Sequence, residues 1–99
     1  MKIARLDDIA PGTATAVAIP GATIALFNLP VGLSALDDSC VRCGRSLAAG
    51  TIDANLVSCS GCDWRYDVTS GCVNGVPALR TQTFEVVVVD GYVVLVGAA

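Results

Sequence analysis

The stretch CVRCGRSLAAGTIDANLVSCSGCDWRYD, residues 40–67, holds four of the chain's five cysteines as two C-x-x-C pairs, in a sequence with no histidine. Each pair sets two sulfurs on one tight turn, close enough to chelate a single ion. The segment between the pairs, Gly44 to Ser58, has a length usual for four-cysteine metal sites. Cys40, Cys43, Cys59 and Cys62 are therefore the candidate metal ligands. Gly44 follows the second thiol, where a chelating turn often needs positive φ or a close approach of backbone to sulfur. Disulfide pairing would call for an oxidising compartment and would leave Cys72 over. A thioredoxin-like dithiol calls for one pair in a βαβ setting, not two pairs. Small buried cysteines are common in cores, but a doubled C-x-x-C is improbable by chance, so that reading is kept for Cys72 alone.

Outward from this stretch the chain reads as strands. Short runs rich in Val, Ile, Thr and Leu recur between Gly, Pro, Asn and Asp punctuation, and no helix-period stripe is present. TATAVAI (13–19) and TIALFNL (23–29) flank Pro-Gly-Ala and predict a hairpin, with LSAL (33–36) after a second Pro/Gly turn. FEVVVV and YVVLV flank Asp90-Gly91, the strongest hairpin signal in the chain, because that dipeptide tolerates a type I′ turn. Both runs are almost continuously apolar, which implies burial on both faces or an association surface. Between the β blocks, residues 37–80 read as a loop-rich metal-binding subdomain with short strands at NLVS and WRYDV. The whole of 1–99 is read as one domain.

At 99 residues such a chain buries only about two thirds of its unfolded surface, so a metal centre would supply stability that a small core lacks. Charged residues are 15% of the chain and hydrophobic ones 54%, which argues for folding rather than disorder. The formal charge of −3, with six scattered Lys and Arg, offers nucleic acid no basic stripe. Asp37, Asp38, Asp53, Asp63 and Asp67 gather around the cysteines, either to steer a basic docking surface or as solvated loop residues. Ile9 to Leu36 is uncharged and long enough to span a bilayer. Pro11, Pro20 and Pro30 cut it into strand-length pieces, and Asp7-Asp8 replaces the basic start of a signal peptide, so the expectation is a cytoplasmic protein without a membrane segment.

Over nearly its whole length the order of segments resembles the small ferredoxins and ferredoxin-like subunits of the Rieske family. LDDIAPGTATAVAIPGATIALFNLPVGLSALDDSCVRCGRSLAAG is similar to the family's opening strands and its first cluster loop, C-x-H-x-G-x-x-L. VSCSGCDWRYDVTSG is similar to its second loop, C-x-x-H followed by an aromatic residue, Asp and a Thr/Gly turn. On that pattern Cys40 and Cys59 match the two cysteine ligands, Gly44 and Leu47 the rest of the first loop, and Tyr66-Asp67 the second. Arg42 stands where the first histidine belongs and Cys62 takes the place of the second, with Cys43 one residue past the first.

The resemblance implies an all-β, Rieske-like antiparallel sandwich whose metal-binding subdomain is similar to rubredoxin and zinc ribbons. It implies an electron carrier, not an enzyme in itself, working between a flavin reductase and an oxygenase or related oxidoreductase. The cofactor it implies here is a [2Fe-2S] cluster on four cysteines, of lower potential than a Rieske centre. The alternative is one Zn or Fe ion in a tetrahedral four-cysteine site, and with zinc a redox-silent interaction domain. Arg42, Gly44 and Trp64 are the candidate residues around the cofactor, Arg42 to offset thiolate charge and Trp64 to shield the centre. Tyr66 and Phe84 read as core aromatics.

Overall fold

The structure, a computed structural model, describes residues 1–98. Apart from a single 3-10 turn at Leu6–Asp8, its regular elements are antiparallel strands. Strands β2 (Thr13–Ile19), β3 (Ala22–Leu29) and β4 (Gly32–Asp37) form a meander whose turns fall at the Pro-Gly and Pro-Val-Gly punctuation. Strands β10 (Thr83–Val89) and β11 (Tyr92–Ala98) form the closing hairpin over Asp90-Gly91, both at positive φ (52° and 78°) as the dipeptide implies. Strand β1 (Lys2–Arg5) adds to β11, giving a six-stranded sheet in the order β1-β11-β10-β4-β3-β2. The 3-10 turn ties the chain back to the closing hairpin through Leu6 N–H to Gly91 O at 2.9 Å.

A second sheet of five short strands runs β5 (Thr51–Asp53), β6 (Leu56–Ser58), β7 (Arg65–Asp67), β8 (Cys72–Val73) and β9 (Val76–Arg80). The segment read as loop-rich is mostly loop and turn, with the strands expected at NLVS and WRYDV present as β6 and β7, and β5, β8 and β9 added to them as strands of two to five residues. Pro77 sits in β9 at the sheet edge, where a missing N–H costs no ladder bond.

β3 joins the two cores. Its alternate residues Ile24 and Leu26 pack with Ile9, Ala35 and Val93 inside the large sheet. Ala25, Phe27 and Leu29 pack the other way, with Leu36, Leu47, Val57, Tyr66 and Val68 of the second layer. Burial on both faces therefore belongs to β3, from which Ile24 through Phe27 are fully excluded from solvent. The valines of β10 do not share it: Val87, Val88 and Val89 are 42%, 48% and 47% exposed, because β10 pairs with β4 only at Thr83 and Phe84 and its valine end has β11 alone as a bonded neighbour. On β11 the apolar run is divided, with Val93 buried and Val96 exposed. Among the described residues no helix is long and apolar enough to cross a membrane.

Candidate metal centre

The two C-x-x-C loops emerge at one end of the small sheet. The first leaves β4 and is folded onto itself by Asp38, which is buried and accepts the Ala48 N–H on its carboxylate (2.8 Å) and the Leu47 N–H on its carbonyl (2.6 Å). Asp37 accepts Ser39 N–H in the same way. Within the loop Cys40 N–H reaches Arg45 O and Gly44 N–H reaches Cys40 O, each at 2.9 Å. This turn closes only because Gly44 holds φ at +76°, a conformation costly to residues with a side chain. The second loop joins β6 to β7, where Cys59 N–H donates to Trp64 O (2.8 Å) and Gly61 N–H points at Cys59 Sγ (3.4 Å).

Together these turns bring Cys40, Cys43, Cys59 and Cys62 to one point, with all four Sγ atoms within 4.8 Å of one another. Cys40 and Cys59 are buried, Cys62 is half-buried, and Cys43 is exposed at the rim. Cys72 lies on β8 outside this group and is half-buried rather than sealed in the core. Arg42 and Trp64 meet each other across the opening, the guanidinium 5.5 Å from the ring centroid, so that a cation–π contact clasps one loop to the other. Trp64 also packs against the core beneath.

Tyr66, read from sequence as a core aromatic, is fully buried but does more than fill space. Its hydroxyl accepts the Val41 N–H (3.0 Å), which leaves its own proton free for Cys40 Sγ at 3.2 Å. Burial opposes ionisation of Cys40, but the Tyr66 hydroxyl and the backbone N–H groups of Cys43 and Arg42 outweigh it and bring the thiol down to about 6. Burial pushes Cys59 up to about 12 against the pull of the Gly61 N–H, and the surrounding thiols reinforce the rise. Tyr66 is raised as well, by burial and by its bond to Cys40. Four thiols this close cannot all carry charge in the absence of a cation; a thiophilic ion among them removes the conflict. The donor set thus fits a soft metal.

Of the five acidic residues near the centre, three are occupied locally. Asp37 and Asp38 hold the first loop, and Asp67 accepts the Thr69 hydroxyl (2.5 Å) and N–H (2.9 Å). Those two donors hold the Asp67 carboxyl below its usual range. A carboxyl lowered on folding stabilises the fold above its unfolded value, and that contribution is lost as pH falls through the folded one. Asp67→Asn should therefore flatten the acid side of a urea-midpoint profile while leaving neutral stability lower; an unaltered acid limb would remove Asp67 from the account.

Gly50 sets the distance between the loops. A side chain there would run into the backbone carbonyl of Ser58, one residue before Cys59. Gly50→Ala should cost about 1–3 kcal/mol in urea unfolding, as overpacking does, and weaken metal retention with it. Unchanged stability would show that β5 can move away from β6 freely.

A β sandwich with two cysteine loops at one tip defines a Rieske-type protein, and the chain belongs to the Rieske [2Fe-2S] domain family, whose model matches residues 1–91. It is 28% identical over 99 residues to the ferredoxin CarAc of Metapseudomonas resinovorans, spanning 98% of this chain and 92% of that one. It superposes with a TM-score of 0.86 at 28% identity on a chain of the complex of reduced oxygenase and oxidized ferredoxin in carbazole 1,9a-dioxygenase, covering 96% of this chain and 90% of that one. A protein described as an NADPH nitrite reductase small subunit matches equally well, at TM-score 0.86 and 26% identity over 98% and 97% of the two chains.

The family's centre takes two histidines on one iron, and this chain does not fit it. The chain has no histidine at all, and Arg42, permanently protonated, cannot ligate in place of one.

Proposed function

We propose that this protein is a Rieske-type electron carrier whose centre is held by Cys40, Cys43, Cys59 and Cys62. The observation that carries the reading is the meeting of four sulfurs at the rim of a ferredoxin fold. Electrons would pass from a flavin reductase to an oxygenase or a related oxidoreductase; the ferredoxin relative supports the carrier role, and the ferredoxin in complex with an oxygenase supports the oxygenase side. Turnover belongs to those partners; this chain has no histidine for acid–base work.

Residues 37–80 act as the metal-binding subdomain. Arg42 and Trp64 are its lid, and Gly44 its tight turn. Cys43, exposed at the rim, shortens the path to a partner. The acidic net charge does not suit nucleic acid, and the chain is assigned to the cytoplasm. The test is a redox titration of protein purified without oxygen. Reversible bleaching of a visible band with one electron per chain, and reoxidation by a carbazole-type terminal oxygenase faster than by buffer alone, are expected. A colourless protein that takes up no electron would replace this reading with a zinc-stapled interaction domain, which the all-thiolate donor set also accommodates.

A further inference from the structure

We infer that the four cysteines enclose a single metal ion, not a two-iron cluster. The inference deepens the electron-carrier reading and rests on it only for the identity of the ion. Size separates the two occupants. Every pair among the four Sγ atoms lies within 4.8 Å, with Cys43 to Cys59 at 3.3 Å and Cys40 to Cys62 at 3.8 Å. Four sulfurs placed tetrahedrally at about 2.3 Å from one ion stand about 3.8 Å apart, inside the observed range.

Two tetrahedral irons bridged by two sulfides make a longer object. At the same bond length of about 2.3 Å the irons are roughly 2.7 Å apart, and the terminal bonds project roughly a further 2.7 Å along that axis. Each thiolate on one iron would then stand at least about 5.3 Å from both thiolates on the other. All the observed separations fall short of that distance.

The compactness is not that of slack loops. Arg42 on Trp64 clasps them at the opening, and Tyr66, from the strand after the second loop, holds Cys40 and Val41 of the first at the base. Ser39 bridges to Ser46, and Cys59 N–H is fixed to Trp64 O. Opening the site to the length of a cluster would require the two loops to part or, with one ligand from each loop on each iron, both C-x-x-C turns to stretch. Four thiolates around one ferric ion leave a net charge of −1 (3 − 4), and uptake of one electron from a reductase, making it ferrous, gives −2 (2 − 4). Arg42, on the first loop with its guanidinium over Trp64, is a cation placed to meet that change.

The test is metal and acid-labile sulfide analysis, with X-ray absorption at the iron and zinc edges, on protein purified without oxygen from iron-supplied cells and given no further metal. One metal per chain, four sulfur neighbours at about 2.3 Å, no sulfide and no metal–metal scattering are expected. Two irons and two sulfides per chain with iron–iron scattering overturn the inference and leave the electron-carrier reading standing. One zinc per chain that iron does not replace, with no electron uptake, upholds the single-ion site and overturns the electron carrier. Protein that folds and holds no metal overturns both.

Discussion

Cys62→Ser is expected to empty the centre. Cys62 stands where the family keeps a histidine, its sulfur 3.8 Å from that of Cys40, and it is packed against the small core as well as facing the ion. A serine hydroxyl is a harder, more weakly held donor than thiolate. Metal affinity should fall at least about a hundredfold, roughly 3 kcal/mol, and because metal binding in small sites is folding energy, thermal stability should fall with it. Cys72→Ser is the control. That thiol lies on β8 away from the four and should leave metal content and spectrum intact. Metal content unaltered in Cys62→Ser would strike Cys62 from the ligand set, and metal lost in Cys72→Ser would bring the fifth cysteine into it.

Tyr66→Phe is expected to lower the potential of an iron-loaded centre while leaving the metal in place. The hydroxyl donates to Cys40 Sγ, and a donor on sulfur favours the more negatively charged, reduced state. Each kcal/mol of lost differential stabilisation is worth about 40 mV for one electron, so a fall of some tens of millivolts should follow. The ring still fills its place, but Val41 N–H loses its acceptor, and a stability loss of about 1–3 kcal/mol accompanies the change. A potential unmoved by the substitution, with stability lowered, would make Tyr66 a structural strut and nothing more. Readouts in spectrum and potential keep the two roles apart.

The residues that announce themselves in the sequence are those whose chemistry is local. Two C-x-x-C turns mark the ligands because each brings its own pair of sulfurs together, and Asp90-Gly91 marks the closing hairpin because the dipeptide itself selects the turn. Tyr66 and Asp38 are silent for the opposite reason. Tyr66 has the look of any buried aromatic until the fold sets its hydroxyl on a sulfur 26 residues away, and Asp38 reads as a solvated acid until its carboxylate meets Ala48 N–H. The resemblance pattern includes Tyr66-Asp67, the one sequence signal that pointed past packing. Of the second sheet, β6 and β7 are legible as NLVS and WRYDV, whereas β8 and β9 are not, because a strand as short as Cys72–Val73, or as uniformly exposed as Val76–Arg80, carries no alternation to read. The valine run of β10 misleads for a related reason: apolar continuity is shared by strands buried on both faces and by strands whose outer face is left in water, and only neighbours tell them apart.

That outer run has a colloidal consequence. β10 keeps β4 as a partner only at Thr83 and Phe84, so Val86 to Val89 form a short, sticky selvedge with a single bonded neighbour, β11. Glu85 and Asp90 bracket it. If two copies laid these selvedges together antiparallel over the four valines, Val86 against Val89 and Val87 against Val88, each Glu85 would fall opposite an Asp90 of the other copy. Like charges directly opposed in a ladder repel, so the acid at each end works as a gatekeeper. The molecule is thereby kept from zipping to its own kind along this edge.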